Sequence, residues 1–123
     1  MKEIAYIFIG GGVGSVLRYL AQISINERMS GIGFPFSWGT FIVNIAGSLL
    51  IGLFYSISER LNLSMEMRLL LTTGLCGGFT TFSTFALESY VLMENGKGVL
   101  SVIYMIASVL VCLGAVMLAQ KII

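Results

Sequence analysis

Residues 71–85 read Leu71-Thr72-Thr73-Gly74-Leu75-Cys76-Gly77-Gly78-Phe79-Thr80-Thr81-Phe82-Ser83-Thr84-Phe85. Three glycines and four threonines up to Thr81 make poor material for an uninterrupted helix. Yet the stretch sits inside an apolar run from about residue 67 to residue 93, long enough to cross a bilayer. The spacing predicts a helix break at about Gly77 to Thr81. Broken backbone at membrane depth survives only where protein or a water-filled cavity satisfies it. Its freed carbonyls suit a small cation, as half-helix ends do at other membrane midplanes. A close helix-packing surface of small residues is the competing reading, and composition alone does not separate the two.

Outward from this stretch the chain divides into three more apolar runs, at about 4–25, 38–57 and 99–119. The expected fold is an all-α integral membrane protein in a single domain, residues 1–123, with four transmembrane helices and the third broken near its middle. The first run is too long for a signal-peptide core and lacks a small-residue cleavage site, so it is expected to stay as a span. Gly31, Gly33 and Pro35 mark the turn after it, and Phe34, Phe36 and Trp38 read as an interfacial aromatic belt.

Composition agrees. Of the 123 residues, 57% are hydrophobic and 11% charged, and mean hydropathy is +0.96. Soluble domains carry about 25% charged residues. All six acids are Glu and there is no His, which removes His-based catalysis and most transition-metal sites; no enzyme activity is expected. A net charge of +1 leaves no basic surplus for nucleic acid. Cys76 and Cys112, both in apolar runs, read as small buried residues.

Four spans place both termini on one side. Lys2, Arg60, Arg68 and Lys121 lie there, with Arg28, Lys97 and the intramembrane Arg18 toward the other. That bias is too weak to orient a bundle, so insertion in both directions is open. A chain present both ways can pair with an inverted copy of itself through one two-fold interface. Short loops also hold few charges whatever the topology.

Polar groups inside the spans carry the functional reading. Phe82 and Phe85 share a helix face, flanked by Ser83 and Thr84 and extended by Ser89. Aromatic ring edges are positive, so two of them beside hydroxyl donors can stabilise a small anion without fixed charge. A Phe pair at this spacing also serves as core filling. Asn44, with Gly47 and Ser48 beyond it, can donate to an anion or bond across a helix seam. Ser101, Tyr104, Ser108 and Cys112 form one stripe on the fourth span, either an ion track or a seam. Arg18 either snorkels or lines an anion-attracting vestibule. Glu88, beyond the Phe pair, can bond nearby hydroxyls or pair with a cation.

Three blocks together carry a family resemblance: Gly10-Gly11-Gly12-Val13-Gly14-Ser15-Val16-Leu17-Arg18-Tyr19, the run Gly39 to Gly52 around Asn44, and Gly74 to Phe85. In this order and spacing the chain resembles the fluoride channels called Fluc or CrcB over nearly its whole length. The resemblance implies an antiparallel, dual-topology homodimer in the inner (plasma) membrane, with two pores and one structural Na⁺ at the interface. It implies that backbone carbonyls of Gly77 and Thr80 from both copies hold the sodium. It places Phe82, Phe85, Asn44, Ser83, Thr84, Tyr104 and Ser108 on the fluoride path, with Arg18 as the first-helix arginine and Glu88 as the vestibular glutamate. Cys112 stands where a Ser or Thr is expected in the polar track. The implied activity is passive efflux of cytoplasmic fluoride.

Two other readings stand beside it. A small proton-coupled multidrug transporter also has four spans, but requires a buried acid in the first, where this chain has Arg18. A non-transporting scaffold subunit would use the polar residues as packing glue and leave Gly77 to Phe85 without a task.

Overall fold

The computed structural model describes residues 1–32 and 37–122. The turn residues Gly33 and Pro35 and the belt residues Phe34 and Phe36 lie outside them. Every regular element among the described residues is helical. Helix α1 (Lys2–Met29) runs into a short 3₁₀ turn (Ser30–Ile32), and α2 (Trp38–Leu61) follows. The third span is composite: α3 (Met65–Arg68), a π-helical segment (Leu69–Cys76), α4 (Gly77–Phe79), a break, and α5 (Phe82–Glu94). Helix α6 (Gly98–Ile122) completes four spans, each long and apolar enough to cross a membrane. The helices extend beyond the expected apolar limits because Glu3, Glu27, Arg28, Glu59, Arg60 and Lys121 continue them past the hydrocarbon region.

The connections are built from side-chain caps. Asn62, left-handed at φ 49°, ends α2, and the Ser64 hydroxyl accepts the Met67 N–H to start α3. Arg68 then clamps the turn, with Nε donating to the Leu63 carbonyl and Nη2 to the Ser58 carbonyl, each at 3.2 Å, and Nη1 meeting Glu59 at 3.2 Å. The guanidinium thus adds side-chain donors to two turn carbonyls, that of Leu63 and that of Ser58, which already accepts the Asn62 and Leu63 N–H groups. At the other end, Asn26 Oδ1 accepts the Gly39 N–H at 3.0 Å and ties the end of α1 to the start of α2.

The π segment was not legible from composition. Its chemistry is visible at Thr72, whose hydroxyl donates to the Arg68 carbonyl at 2.6 Å. A side-chain donor there competes with the backbone ladder, and such competition opens a helix.

Small residues let α1 lie directly on this segment. Gly10 and Gly14 are buried against Leu70, Leu75 and Phe79, and Gly74 and Gly78 face back toward Gly10 and Gly11. A Cβ at Gly14 would stand 2.2 Å from the Leu75 carbonyl oxygen, so the contact is backbone on backbone. The packing reading of the small residues therefore holds for Gly74 and Gly78. Helix α2 packs on α6, and α5 also lies against α6. Between 11% and 22% of each span's most apolar window is buried within the chain. The rest requires lipid or another protein surface.

Gly14→Ala is expected to lower stability by about 3 kcal/mol, because neither backbone can yield. Gly12→Ala, with nothing within 4 Å of the new methyl, should stay within about 0.5 kcal/mol of the parent. Thermal unfolding in detergent distinguishes the pair, and equal melting temperatures would remove the glycine seam from the fold's energetics.

Candidate functional site

The break occupies two residues, Thr80 (φ −85°, ψ 159°) and Thr81 (φ −147°, ψ 117°). It is narrower than the expected Gly77 to Thr81, since Gly77 keeps helical dihedrals. Asn44 on α2 holds it open. Its Oδ1 accepts the Thr81 N–H at 2.9 Å and its Nδ2 donates to the Thr81 carbonyl at 3.1 Å. The amide is matched to one residue's pair of backbone groups, as a neighbouring strand would be. Gly47 lets α2 come this close: a Cβ there would stand 2.2 Å from Thr80 Cγ2. Thr81 then caps α5, its Oγ1 accepting the Thr84 N–H at 3.2 Å.

These bonds have a consequence for two carbonyls. In a continuous helix the Thr81 N–H bonds the Gly77 carbonyl and the Thr84 N–H bonds the Thr80 carbonyl. Here both donors are diverted, to Asn44 and to the Thr81 hydroxyl. Gly77 and Thr80 are thus left with carbonyl oxygens that their own helix does not use, and Gly77 is exposed. Neutral, oxygen-only donors at a helix break fit a hard monovalent cation.

Beside the break lies a cavity of about 330 Å³. Its wall brings together Asn44, Thr80, Thr81, the Phe82 and Phe85 rings and Ser108, with Gly77, Cys76 and Cys112 also on it. None of its lining residues is charged. The two Phe ring centroids are 5.6 Å apart and tilted by 55°. Phe85 is buried at 8% exposure, whereas Phe82 is 79% exposed, so within one chain only Phe85 is enclosed. Ser108 Oγ is buried with no hydrogen-bond partner among the described residues. Asn44 Nδ2 keeps one N–H beyond its bond to Thr81. The wall thus carries a hydroxyl without a partner among the described residues, an amide with one N–H to spare and two aromatic rings.

The remaining candidates stand elsewhere. Tyr104, fully buried, donates to Glu88 Oε1 at 3.0 Å, and Thr40 donates to Glu88 Oε2 at 2.9 Å. Gln22 Nε2 in turn donates to Thr40 Oγ1 at 3.1 Å. Glu88 thus sits behind the cavity, and Tyr104 links it to the rings through a 5.2 Å contact with Phe85. Ser83 is exposed and Thr84 half-buried, and neither is on the cavity wall. Arg18 is half-buried, with Nε enclosed and without a partner among the described residues. The fourth-span stripe faces inward at Ser101, Tyr104 and Ser108, where Ser101 donates to the Ser89 carbonyl at 2.7 Å. Both cysteines are free thiols. Sequence reasoning missed Thr40 and Gln22. The available signal was spacing: Thr40 lies four residues before Asn44 and Gln22 four after Arg18, each pair sharing a helix face.

Asn44→Leu, similar in volume, should leave the Thr81 N–H and C=O both unpaired at membrane depth. A loss of about 2 kcal/mol or more is expected, together with faster hydrogen exchange at the Thr81 amide. Unchanged exchange at that amide would show that the break does not depend on Asn44.

The model of the family described as CrcB-like protein, Camphor Resistance (CrcB), matches residues 5–120. A protein of Bacteroides fragilis named Fluoride-specific ion channel FluC is 62% identical over 117 residues, covering 95% of this chain and 92% of that protein. Its namesake in Phocaeicola vulgatus is 52% identical over 118 residues, or 96% and 95% of the two chains. The one in Agrobacterium fabrum is 50% identical over 117 residues, or 94% and 91%. Neither a proton-coupled multidrug transporter nor a scaffold accounts for such likeness along the whole fold. This chain, with its four spans and its broken third helix, belongs to the CrcB family.

Proposed function

We propose that this protein is a fluoride channel of the plasma membrane, letting cytoplasmic fluoride leave passively down its electrochemical gradient. The observation that carries the reading is the uncharged cavity beside the break, where Asn44, Ser108 and the Phe82 and Phe85 edges converge. A small anion gives up strong hydration on entering a bilayer. Neutral donors and ring edges replace that water without trapping the ion as a fixed positive charge would. The names borne by the Bacteroides fragilis and Phocaeicola vulgatus relatives point the same way.

Passive efflux follows from the chemistry of the ion. Hydrogen fluoride crosses the bilayer as a neutral acid and ionises in the cytoplasm, which traps fluoride. A pore then lets the inside-negative potential expel the anion, at about 2.3 kcal/mol per charge per 100 mV.

The functional unit is two copies in inverted orientation, each contributing to two pores. In support, Phe82 is largely exposed in one chain, and most of each span's apolar surface lies outside the chain's own core. The Gly77 and Thr80 carbonyls of both copies would hold one Na⁺, which supplies fixed charge between the two breaks. Ser83 and Thr84, off the cavity wall in one chain, would join the path only across such an interface.

Reconstituted into liposomes, the protein should release fluoride and retain chloride. Phe85→Ile and Phe82→Ile should each cut fluoride flux roughly tenfold, or ~1.4 kcal/mol, with dimer size preserved. Normal flux in both would take the ring edges out of the mechanism. Replacing sodium by a large organic cation during reconstitution should lower flux. Indifference would mean that the freed carbonyls serve packing only.

A further inference from the structure

We infer that Gln22 is a positioning residue of the anion path, acting through Thr40 and Glu88 on the Tyr104 and Phe85 rings. The inference rests on the channel reading above. Four spans each contribute one member to a single hydrogen-bonded line. Gln22 on α1 donates to Thr40 on α2 at 3.1 Å, Thr40 donates to Glu88 on α5 at 2.9 Å, and Tyr104 on α6 donates to the other Glu88 oxygen at 3.0 Å. Beyond it, the Tyr104 ring lies 5.2 Å from Phe85, and Phe85 lies 5.6 Å from Phe82.

The direction of each bond decides what Gln22 does. A threonine hydroxyl has one proton and two lone pairs. At the start of α2 that proton has an alternative in the Ser37 carbonyl, three residues back. Gln22 occupies a lone pair of Thr40 Oγ1 as a donor, which leaves the proton for Glu88 and holds the oxygen from the opposite side. Thr40 is 2% exposed and Tyr104 fully buried, so bulk water is not at hand to replace a lost partner. With the Gln22 amide removed, the Thr40 proton is released to the backbone and one Glu88 oxygen loses that donor. Tyr104 and Ser37 then hold the carboxylate without Thr40, and the ring behind Phe85 loses its fixed seat. An uncharged amide is required at Gln22. A cation there would draw Glu88 out of line, and a carboxylate would compete with Glu88 for the Thr40 proton.

The test is a double-variant cycle on fluoride efflux from liposomes. Gln22→Met keeps length and removes the donor; it should lower flux roughly three- to tenfold, the size of one lost hydrogen bond at membrane depth. Thr40→Val should lower flux at least as much. The double variant should fall no further than Thr40→Val alone, a pattern that a general packing role for Gln22 does not produce. Gln22→Glu, which reverses donor to acceptor, should show the same dependence on Thr40 and serves if Gln22→Met fails to assemble. Parental flux in Gln22→Met or Gln22→Glu, or losses that multiply in the double variant, would overturn the inference. Failure of the channel reading is distinct, because the parent protein itself would then release no fluoride.

Discussion

The paired hydrogen bonds between the Asn44 amide and the Thr81 backbone are the constraint on which the site depends. A helix interrupted in a bilayer exposes donors and acceptors that lipid cannot satisfy, at several kcal/mol for each group. One carboxamide supplies both a donor and an acceptor in the fixed geometry that a single peptide unit needs. That match lets Thr80 and Thr81 stay extended, and it turns the chain so that Phe82 and Phe85 begin a new helix beside α6. The same bonds divert the donor that would have used the Gly77 carbonyl. Opening the helix and freeing its oxygens are therefore one event, set by a residue on a different span.

Glycine enters the fold for two separate reasons, and the sequence shows them superimposed. Gly74 and Gly78 face α1, where backbone touches backbone, while Gly77, between them in the chain, opens away from that seam. The stretch from Gly74 to Gly78 thus joins a packing face to an edge of the site. Composition alone could not separate a packing surface from an ion-binding break because the segment is both. The distinction lies in which side of the helix each glycine occupies, and the π segment upstream shifts that register. Nothing in an apolar run rich in Leu and Thr announces a π-helix. The Thr72 bond to the Arg68 carbonyl that accompanies it is one that threonines also make in ordinary α-helices.

The four spans, the position of the break and the inward face of the fourth helix were readable because each rests on local pattern: length, apolarity, helix-breaking residues and spacing. Asn44 was readable as an oddity, a carboxamide in the middle of an uncharged span. Its partner was not, since Thr81 lies 37 residues away and only tertiary packing brings them together. Glu88 was readable as an acid beyond the Phe pair that would bond hydroxyls or pair with a cation, and it accepts from the Thr40 and Tyr104 hydroxyls. Thr40 escaped because a threonine in a membrane helix is ordinarily satisfied by its own backbone, and Gln22 because it sits near the polar end of its span. Phe82 and Phe85 share a helix face as their spacing requires, yet one is enclosed and the other exposed. Burial depends on what packs against the face, which spacing does not encode.

In the proposed channel a carboxylate beside the anion path looks like a contradiction, since like charges repel more strongly as the medium becomes less polar. Its hydrogen bonds resolve it. Each Glu88 oxygen accepts a hydrogen bond from a hydroxyl on another helix, so the charge is spread over those dipoles. In the same step those hydroxyls are withdrawn from the ion. On the cavity wall Ser48 and Ser108 carry hydroxyls, that of Ser108 without a partner among the described residues, and Asn44 keeps a second N–H. Few donors and no charged side chain on the cavity wall make a shallow well, and conduction requires one: an ion bound tightly by a buried arginine or lysine would not leave. On the proposed reading, a half-buried carboxylate held behind the aromatic rings by the Thr40 and Tyr104 hydroxyls is compatible with anion passage, and the orientation of those hydroxyls is what makes it so.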